Sequence, residues 1–414
     1  MVQMNDFIKQ SQLRGFWNQC SNDQALENLM DKGPIVAYIG FDATAKSLQV
    51  GNLMAIMWLR LLQRCGHKPI VLLGGATTLI GDPSGKDESR KAIDPEEVED
   101  NLNRIQQTFE RFLTIGNGPT DAIILNNATW LQDVYYIDFL RHIGRHFTIN
   151  RMLSFDSVQS RLNRQQPLSF LEFNYMLLQA YDFYILRKDY GCVLQMGGSD
   201  QWGNIVNGID LTRRLLEQEV IGLTCPLITK SDGTKMGKTA AGAIWLSNDF
   251  LDSYDYWQFW RNTADDDVIR FLKIFTDLPL ETIDKLANLS GADLNEAKKI
   301  LADEATVLAH GKQALIPIHE KIAYAFGGIE KENINVEAVA IKLQGPWPYP
   351  LDQLLVDAAF CETKGQGRRL VQGRGVKIND VVVLDEKMLI DVPEDSKKPH
   401  KISVGKKRHC WIKG

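Results

Sequence analysis

The feature that most limits the fold is an alternation. Across residues 1 to about 235, short apolar runs rich in β-branched and aromatic residues take turns with longer stretches of helical spacing. IVAYIGF (35–41) reads as a strand. VGNLMAIMWLRLLQRCG (50–66) follows with helical spacing and a stop at Gly66. HKPIVLLGGATTLIGDPSGKDE (67–88) is a second strand running into a glycine-rich loop, and VEDNLNRIQQTFERFLTI (98–115) is an amphipathic helix. DAIILNNATWL (121–131) is a third strand and turn, LEFNYMLLQAYDFYILRKDYG (171–191) a helix. CVLQMGGSDQWGNIVNGIDLTRRLL (192–216) is strand, glycine turn and helix. Strands separated by helices predict a parallel sheet covered on both faces. In such a sheet the ligand lies beyond the carboxyl ends of the strands, which is where the glycine-rich loops fall.

The rest of the chain divides by composition. Residues 236–330 are mostly helical in pattern, with aromatic anchors in DYWQFWRNTADDDVIRFLKIFT and charged helix formers in LNEAKKILADEATVLAHG. PWPYP (346–350) breaks both helix and strand and closes a linker taken as 331–350. A small turn-rich module fills 351–414 and ends in a basic segment: Lys397, Lys398, Lys401, Lys406, Lys407 and Arg408 have no acid among them. The chain as a whole is acidic, with 47 basic against 52 acidic side chains, so any nucleic-acid contact must be local. Six cysteines, none in a CxxC pair, argue against a zinc ribbon, so no metal site is expected. The N-terminus carries no apolar signal segment, and no run approaches 18 apolar residues. These features predict reduced thiols, no membrane insertion and a cytoplasmic location.

Four loops carry candidate chemistry. In GGSDQWGN (197–204), Asp200 and Gln201 suit an ammonium, a hydroxyl or a ribose, and Ser199 or Asp200 could equally cap the next helix. GDPSGK (81–86) is turn chemistry whose Lys86 could reach a phosphate. TKSDGTKMGKTA (229–240) sets lysines 230, 235 and 238 around two glycines, which fits a phosphate chain or a solvated loop. YIGFDATAKSLQVGN (38–52) ends a strand and starts a helix, whose free N–H groups favour an anion. Tyr38 and Asp42 would face the crevice at that strand end. Tyr175, Gln179 and Asp182 fall at i, i+4 and i+7, on one face of one helix.

Taken in order, YIGFDATAKSLQVGN, GGATTLIGDPSGK, YMLLQAYDF, GGSDQWGN, KMGKT and GRRLVQGRGVKIN resemble bacterial-type tyrosyl-tRNA synthetases of class I, with a C-terminal S4-like RNA-binding module. The resemblance covers nearly the whole chain. It implies a Rossmann-like α/β catalytic domain over 1–235, an α-helical domain over 236–330 and a small α+β S4-like domain over 351–414. It implies activation of tyrosine by ATP with Mg²⁺ on the nucleotide, then transfer of tyrosine to the terminal ribose of tRNA(Tyr). The family is a homodimer, and FLRHIGRHFTINRML (139–153) matches its interface region.

By resemblance, Tyr38 and Asp182 reach the substrate phenol, while Asp82, Tyr175, Gln179 and Gln201 surround the α-ammonium. Asp42, Thr44, Gly51 and Asp200 fall to the ATP and adenylate side. Lys235 and Lys238 would grip the phosphates with Thr239 beside them. LQVGN stands where class I enzymes carry a histidine signature: Gln49 replaces the first histidine and Asn52 the last. A glutamine amide still donates a hydrogen bond, so Gln49 is expected to keep part of that role. Lys86, Arg90, Arg368, Arg369, Arg374 and Lys377 are the expected tRNA contacts. Gly365 and Gly367 depart from the helix formers usual in the module and should weaken its helix. Two rivals stand beside this reading. One is the tryptophan-specific enzyme of the same class, against which Tyr38 and Asp182 speak. The other is a non-catalytic RNA-binding protein on the same fold, supported by Gln49 alone.

Overall fold

The computed structural model describes residues 6–84, 93–234, 236–239, 242–325, 341–342, 347–358, 360–391, 400–405 and 408–413. The chain divides into two compact units between Ala314 and Leu315. The first is built on a six-stranded sheet of β1 (Gln19–Cys20), β2 (Val36–Phe41), β3 (Lys68–Leu73), β4 (Ile123–Asn126), β5 (Leu194–Gly198) and β6 (Ile221–Cys225). Their spatial order is β1-β6-β5-β2-β3-β4. β2 to β6 are parallel, and β1 pairs antiparallel with β6 at one edge. The parallel sheet expected from the alternation is present. β3 is buried at five of its six positions, so it reads as a continuous apolar run rather than an alternating one.

Register makes the crevice. β2 pairs with β3 over six residues, from Val36 with Lys68 to Phe41 with Leu73. On its other side only Ala37 and Tyr38 pair, with Leu194 and Gln195 of β5. Beyond Gln195, β5 pairs with β6 alone. The two central strands therefore part just after Tyr38 and Gln195. The chain order reverses at this same place, the topological switch point where open α/β sheets bind ligands.

Helices hold the walls of that gap. Val50–Arg64 leaves the end of β2 with most of one side buried against the sheet. Phe170–Tyr190 starts with a capping box, in which Ser169 Oγ accepts from Glu172 N and Glu172 Oε2 accepts from Ser169 N. It ends on Gly191 at φ +67°, a left-handed stop that glycine takes without strain. The helices Ser253–Arg261, Asp265–Phe275 and Leu294–His310 also belong to the first unit. Asp277 ties them to the sheet region: it accepts from Arg60 Nε at 2.9 Å and Arg64 at 2.6 Å, both on the Val50–Arg64 helix. The helical segment expected over 236–330 is thus continuous with the sheet unit as far as Ala314, and the helix Leu315–Ala325 falls in the second unit. Among the described residues no helix is long and apolar enough to cross a membrane.

The second unit carries a five-stranded sheet, with Val381–Val382, Val376–Ile378, His400–Val404, Arg408–Lys413 and Ile341–Lys342 in that spatial order. Its core includes Leu351, Leu354, Leu355, Val371, Val376, Ile402 and Ile412. The helix Lys364–Gln372 forms despite its two glycines, with Thr363 Oγ1 accepting from Gln366 N at the N-cap. Gly367 is buried, and a Cβ there would stand 3.3 Å from the Asp352 carbonyl and 3.4 Å from Cys361 Sγ. That glycine permits close packing of the helix against its neighbours.

Candidate active site

A cavity of about 410 Å³ opens at the gap between β2 and β5. Tyr38, Asp42, Thr44, Gly51, Asn52, Asp82, Tyr175, Gln179, Asp182, Asp200 and Gln201, predicted from scattered segments, all line it. Tyr38 comes from β2, Tyr175, Gln179 and Asp182 from one stripe of the Phe170–Tyr190 helix, and Asp200 and Gln201 from the turn after β5.

The apolar end holds an unusual pair. Asp182 is 2% exposed and Tyr38 is 1% exposed. Asp182 Oδ1 accepts from Trp130 Nε1 at 2.8 Å and Oδ2 from Asn127 Nδ2 at 3.0 Å. Burial pushes the Asp182 carboxyl up to about 7, and the repulsion of Asp42 adds to it, while the two donors pull it down. Burial, then Asp182, push the Tyr38 hydroxyl well above its ordinary 10, so it stays neutral. Among the described residues that hydroxyl has no hydrogen-bond partner, and neither has Gln195 Oε1 or Gln179 Oε1. An unpaired buried polar atom costs about 1–3 kcal/mol. Tyr38 and Gln179 line the cavity, so a ligand there can complete their bonding, whereas Gln195 Oε1 stands against Gly208 of the Trp202–Leu216 helix.

A polar wall continues from there. Asn127 Nδ2 also donates to Thr77 Oγ1 at 2.9 Å, and Thr77 Oγ1 donates to Asp42 Oδ1 at 3.3 Å. Tyr175 Oη donates to Asp42 Oδ2 at 3.4 Å. Gly74 makes room for this: a Cβ there would lie 2.5 Å from both Asp42 Oδ1 and Thr77 Oγ1. On the opposite side Gln201 Nε2 donates to Asp82 Oδ2 at 2.8 Å, and Gln201 Oε1 accepts from Gln179 at 3.3 Å and Asn204 at 3.1 Å. Two carboxylates among neutral amides and hydroxyls suit a primary ammonium and ribose hydroxyls.

The third region is the start of the Val50–Arg64 helix. Gln49 N donates to Asn52 Oδ1 at 3.0 Å, so Asn52 caps the helix with its oxygen and keeps its amide N–H groups for a ligand. Gln49 sits at the N-cap, bridged to Trp245, and is not among the cavity-lining residues. Gly237, at φ +88°, lies so close to the helix start that a Cβ would be 3.1 Å from Gly51 N. Val50 N donates to Ile244 O at 2.9 Å and Asn52 N to Gln49 O at 2.8 Å, so what this helix start offers a phosphate chain is the positive end of its dipole, beside a lysine-bearing segment.

Several expected residues fall elsewhere. Lys86, Arg90 and Lys235 lie outside the described residues, as do the side chains of Lys238 and Thr239, whose backbones pair with Gly242 and Ala243. In the second unit Arg369, Arg374 and Lys377 are exposed, and Arg368 bonds Asp352 through Nε at 2.8 Å. Among the described residues no group of three His, Cys, Asp or Glu is placed to hold a metal. Sequence reasoning missed Thr77, Asn127, Trp130 and Gln195. Asn127 and Trp130 follow β4, so the rule that loops after strand ends face the ligand could have found them.

Comparison with known proteins gives the family. The model of class I tRNA synthetases (W and Y) matches residues 30–327, and the S4 domain model matches residues 350–396. A tyrosine–tRNA ligase of Caulobacter vibrioides is 51% identical over 411 residues, covering 99% of this chain and 98% of that protein. One of Rhodospirillum rubrum is 51% identical over 415 residues, with the same coverage of 99% and 98%. The C-terminally truncated mitochondrial tyrosyl-tRNA synthetase of Aspergillus nidulans aligns with a TM-score of 0.70 at 29% identity, over 77% of this chain and 94% of that one. The tryptophanyl-tRNA synthetase of Plasmodium falciparum, at 15% identity and a TM-score of 0.54 over 74% of this chain and 87% of that one, shares the fold. With a switch-point cavity built from its predicted residues and a family match running from residue 30 to 327, this chain belongs to the class I tRNA synthetases of the tryptophan and tyrosine group.

Proposed function

We propose that this chain is a tyrosine–tRNA ligase, acting on tyrosine, ATP and tRNA(Tyr). One observation carries the choice of amino acid: a neutral hydroxyl without a partner, on Tyr38, and the Asp182 carboxylate share one closed pocket end. A phenol can donate to the carboxylate and accept from Tyr38. An indole offers one N–H and no acceptor, and phenylalanine leaves the Tyr38 hydroxyl unpaired and brings Asp182 no donor beyond Trp130 and Asn127. Synthetases of this specificity are already the established example of strong tyrosine over phenylalanine discrimination by unpaired polar groups, so its size is not a prediction.

Chemistry then follows from placement. The tyrosine carboxylate oxygen attacks the α-phosphorus of ATP, the bond to the bridging oxygen breaks, and pyrophosphate leaves. A terminal ribose hydroxyl of the tRNA next attacks the activated carbonyl and releases AMP. The carboxylate is a nucleophile as it stands, so the protein supplies positioning and electrostatic stabilisation rather than a base. Asp82, Tyr175, Gln179 and Gln201 hold the α-ammonium; Asp42, Thr44, Gly51 and Asp200 hold the adenylate side. Asn52 and Gln49 stand at the helix start, with Lys235, Lys238 and Thr239 assigned to the phosphates by the motif. Mg²⁺ would come with the nucleotide, on its phosphates, and Asp42 and Asp200 would be the cavity carboxylates able to hold its water shell.

A catalytic domain to about residue 235, a helical domain over 236–330 and an S4-like domain from 351 divide the labour. Lys86, Arg90, Arg368, Arg369, Arg374 and Lys377 contact tRNA phosphates, which position rather than specify it. The protein works as a cytoplasmic homodimer through the 139–153 region, where Tyr135, Tyr136, Ile137 and Ile149, in and beside it, are exposed. ATP–pyrophosphate exchange tests the reading: it should need tyrosine, and charging of tRNA(Tyr) should follow. Exchange with tryptophan instead would make the chain its tryptophan-specific relative. RNA binding without exchange would make it a non-catalytic binder.

A further inference from the structure

We infer that Asp267, far along the chain from the cavity residues, is a positioning residue for the lysine segment, acting through Thr229 and Ser231. The inference rests on the proposed ATP-dependent activity, which alone assigns that segment to phosphates.

The described residues Ile228–Thr234 and Met236 close on themselves as a hairpin. Lys230 N donates to Thr234 O at 2.9 Å, Gly233 N to Lys230 O at 2.9 Å, and Met236 N to Ile228 O at 3.5 Å. Inside the turn Asp232 Oδ1 accepts from Thr234 N at 2.8 Å and from Thr234 Oγ1 at 2.6 Å. The turn therefore holds its own shape, and what remains is how it is held to the body of the protein. Asp267, 2% exposed in the first turn of the Asp265–Phe275 helix, supplies that hold. Its Oδ2 accepts from Ser231 N at 2.9 Å and Ser231 Oγ at 3.0 Å. Its Oδ1 pairs with Arg270 at 2.6 Å, and Arg270 in turn donates to the Thr229 carbonyl. Neither Asp267 nor Arg270 lines the cavity.

Just past the far end of that helix, Asp277 binds Arg60 and Arg64 of the Val50–Arg64 helix. The latter helix begins at the point where Gly51 meets Gly237, and a Cβ on Gly51 would stand 3.6 Å from the Met236 carbonyl. A closed frame results, running from Gly51 through the hairpin to Asp267, along the helix to Asp277, and back. Asp267 and Asp277 are its two bolts. Loosening Asp267 lets the hairpin drift from Gly51, the two sides between which the phosphates would lie. An acid that only favoured its own helix terminus would need no bonds from residue 231.

Asp267→Asn, Asp267→Glu and Ser231→Ala, compared with the unaltered chain, test this in ATP–pyrophosphate exchange with tyrosine binding measured separately by equilibrium dialysis. Asp267→Asn should lower kcat about tenfold, as displaced reacting groups do, with the tyrosine Kd unchanged within about twofold. Ser231→Ala should lower kcat about threefold, the loss of one of the bonds, and Asp267→Glu should recover part of the Asn loss. Unchanged kcat in Asp267→Asn and Ser231→Ala, or a tyrosine affinity that falls in step with kcat, overturns the inference. Should Asp267→Asn fail to fold, the exposed Ser231 decides alone by the same criterion. Absence of exchange in the unaltered chain would instead overturn the proposed function, and the inference with it.

Discussion

The indole N–H of Trp130 and the amide of Asn127 each hold one oxygen of Asp182, at 2.8 and 3.0 Å. Burial has pushed this carboxyl up to about 7, and the two donors stop it from going higher. A phenol donates more strongly to the ionised form than to the acid. Tyrosine affinity should therefore weaken as pH falls below about 7. Trp130→Phe removes a donor that favours the carboxylate, so the midpoint of that loss should move to higher pH. Calorimetric titration with tyrosine between roughly pH 5.5 and 9 reads the midpoint. A midpoint that stays put in Trp130→Phe would mean the indole does not govern the charge.

The same carboxyl makes stability depend on pH, and the sign is opposite to that of a surface aspartate. Its folded pKa of about 7 lies above the ordinary 3.8. Between those values the native state keeps a proton that the unfolded chain has lost. Stability of the ligand-free protein should fall as pH rises through that window and level off above it. Asp182→Asn removes the titration, so its melting temperature should decline less from roughly pH 4.5 to 7.5 than that of the unaltered chain. Parallel curves for the two would refute the assignment.

Tyr38 offers the converse case. Its hydroxyl is buried and unpaired without ligand, so Tyr38→Phe removes a cost and should leave the free protein as stable or slightly more so. With tyrosine bound, the variant lacks one hydrogen bond worth about 1 kcal/mol, roughly fivefold in affinity. Phenylalanine loses nothing by the change. The ratio of kcat/KM for tyrosine over phenylalanine should thus narrow, and an unaltered ratio would show that Tyr38 does not read the phenol.

Why some of this was legible and some was not follows from the physics. β2 and β3 announced themselves because parallel strands buried on both faces are continuous apolar runs. Tyr175, Gln179 and Asp182 were legible because helical periodicity places them on one stripe, and polar groups there must face something. The pairing of β2 with β5 was not legible, since strands so far apart in the chain leave no local pattern, as with Tyr38 and Gln195. The strand-end rule reaches Trp130 and Asn127 as crevice residues, but their bonds to Asp182 were hidden, since these exist only once the β4 loop meets the Phe170–Tyr190 helix. At Gly367 propensity sees the cost of a glycine but not the Asp352 carbonyl, 3.3 Å from where a Cβ would stand.

Gln49 permits a direct test. A donor aimed at a charge developing in the transition state is worth about a hundredfold or more. Gln49 caps the helix start from outside the cavity lining, while Asn52 lines it. Replacing Gln49 by His should therefore raise the rate of tyrosine-dependent pyrophosphate exchange by less than about tenfold. A gain near a hundredfold would show that the glutamine had cost this chain a transition-state contact, and that the helix start moves inward when ATP binds.

Two glycines in one helix should respond in opposite directions. Gly365 is exposed, and the nearest atom to a Cβ there is Thr363 Oγ1 at 4.0 Å. Gly365→Ala lowers the entropy of the unfolded chain without a clash, so it should stabilise the helix by about 0.5–1 kcal/mol. At Gly367 the added methyl meets the Asp352 carbonyl at 3.3 Å, and backbone on a packed neighbour gives way poorly. The strain should exceed the entropic gain, as overpacking by one carbon costs about 1–3 kcal/mol. Amide hydrogen exchange across Lys364–Gln372 in the full chain separates the two, with protection rising in Gly365→Ala and falling in Gly367→Ala. Equal protection in both would mean that the helix can shift away from Asp352, and that glycine at 367 is not required by the packing.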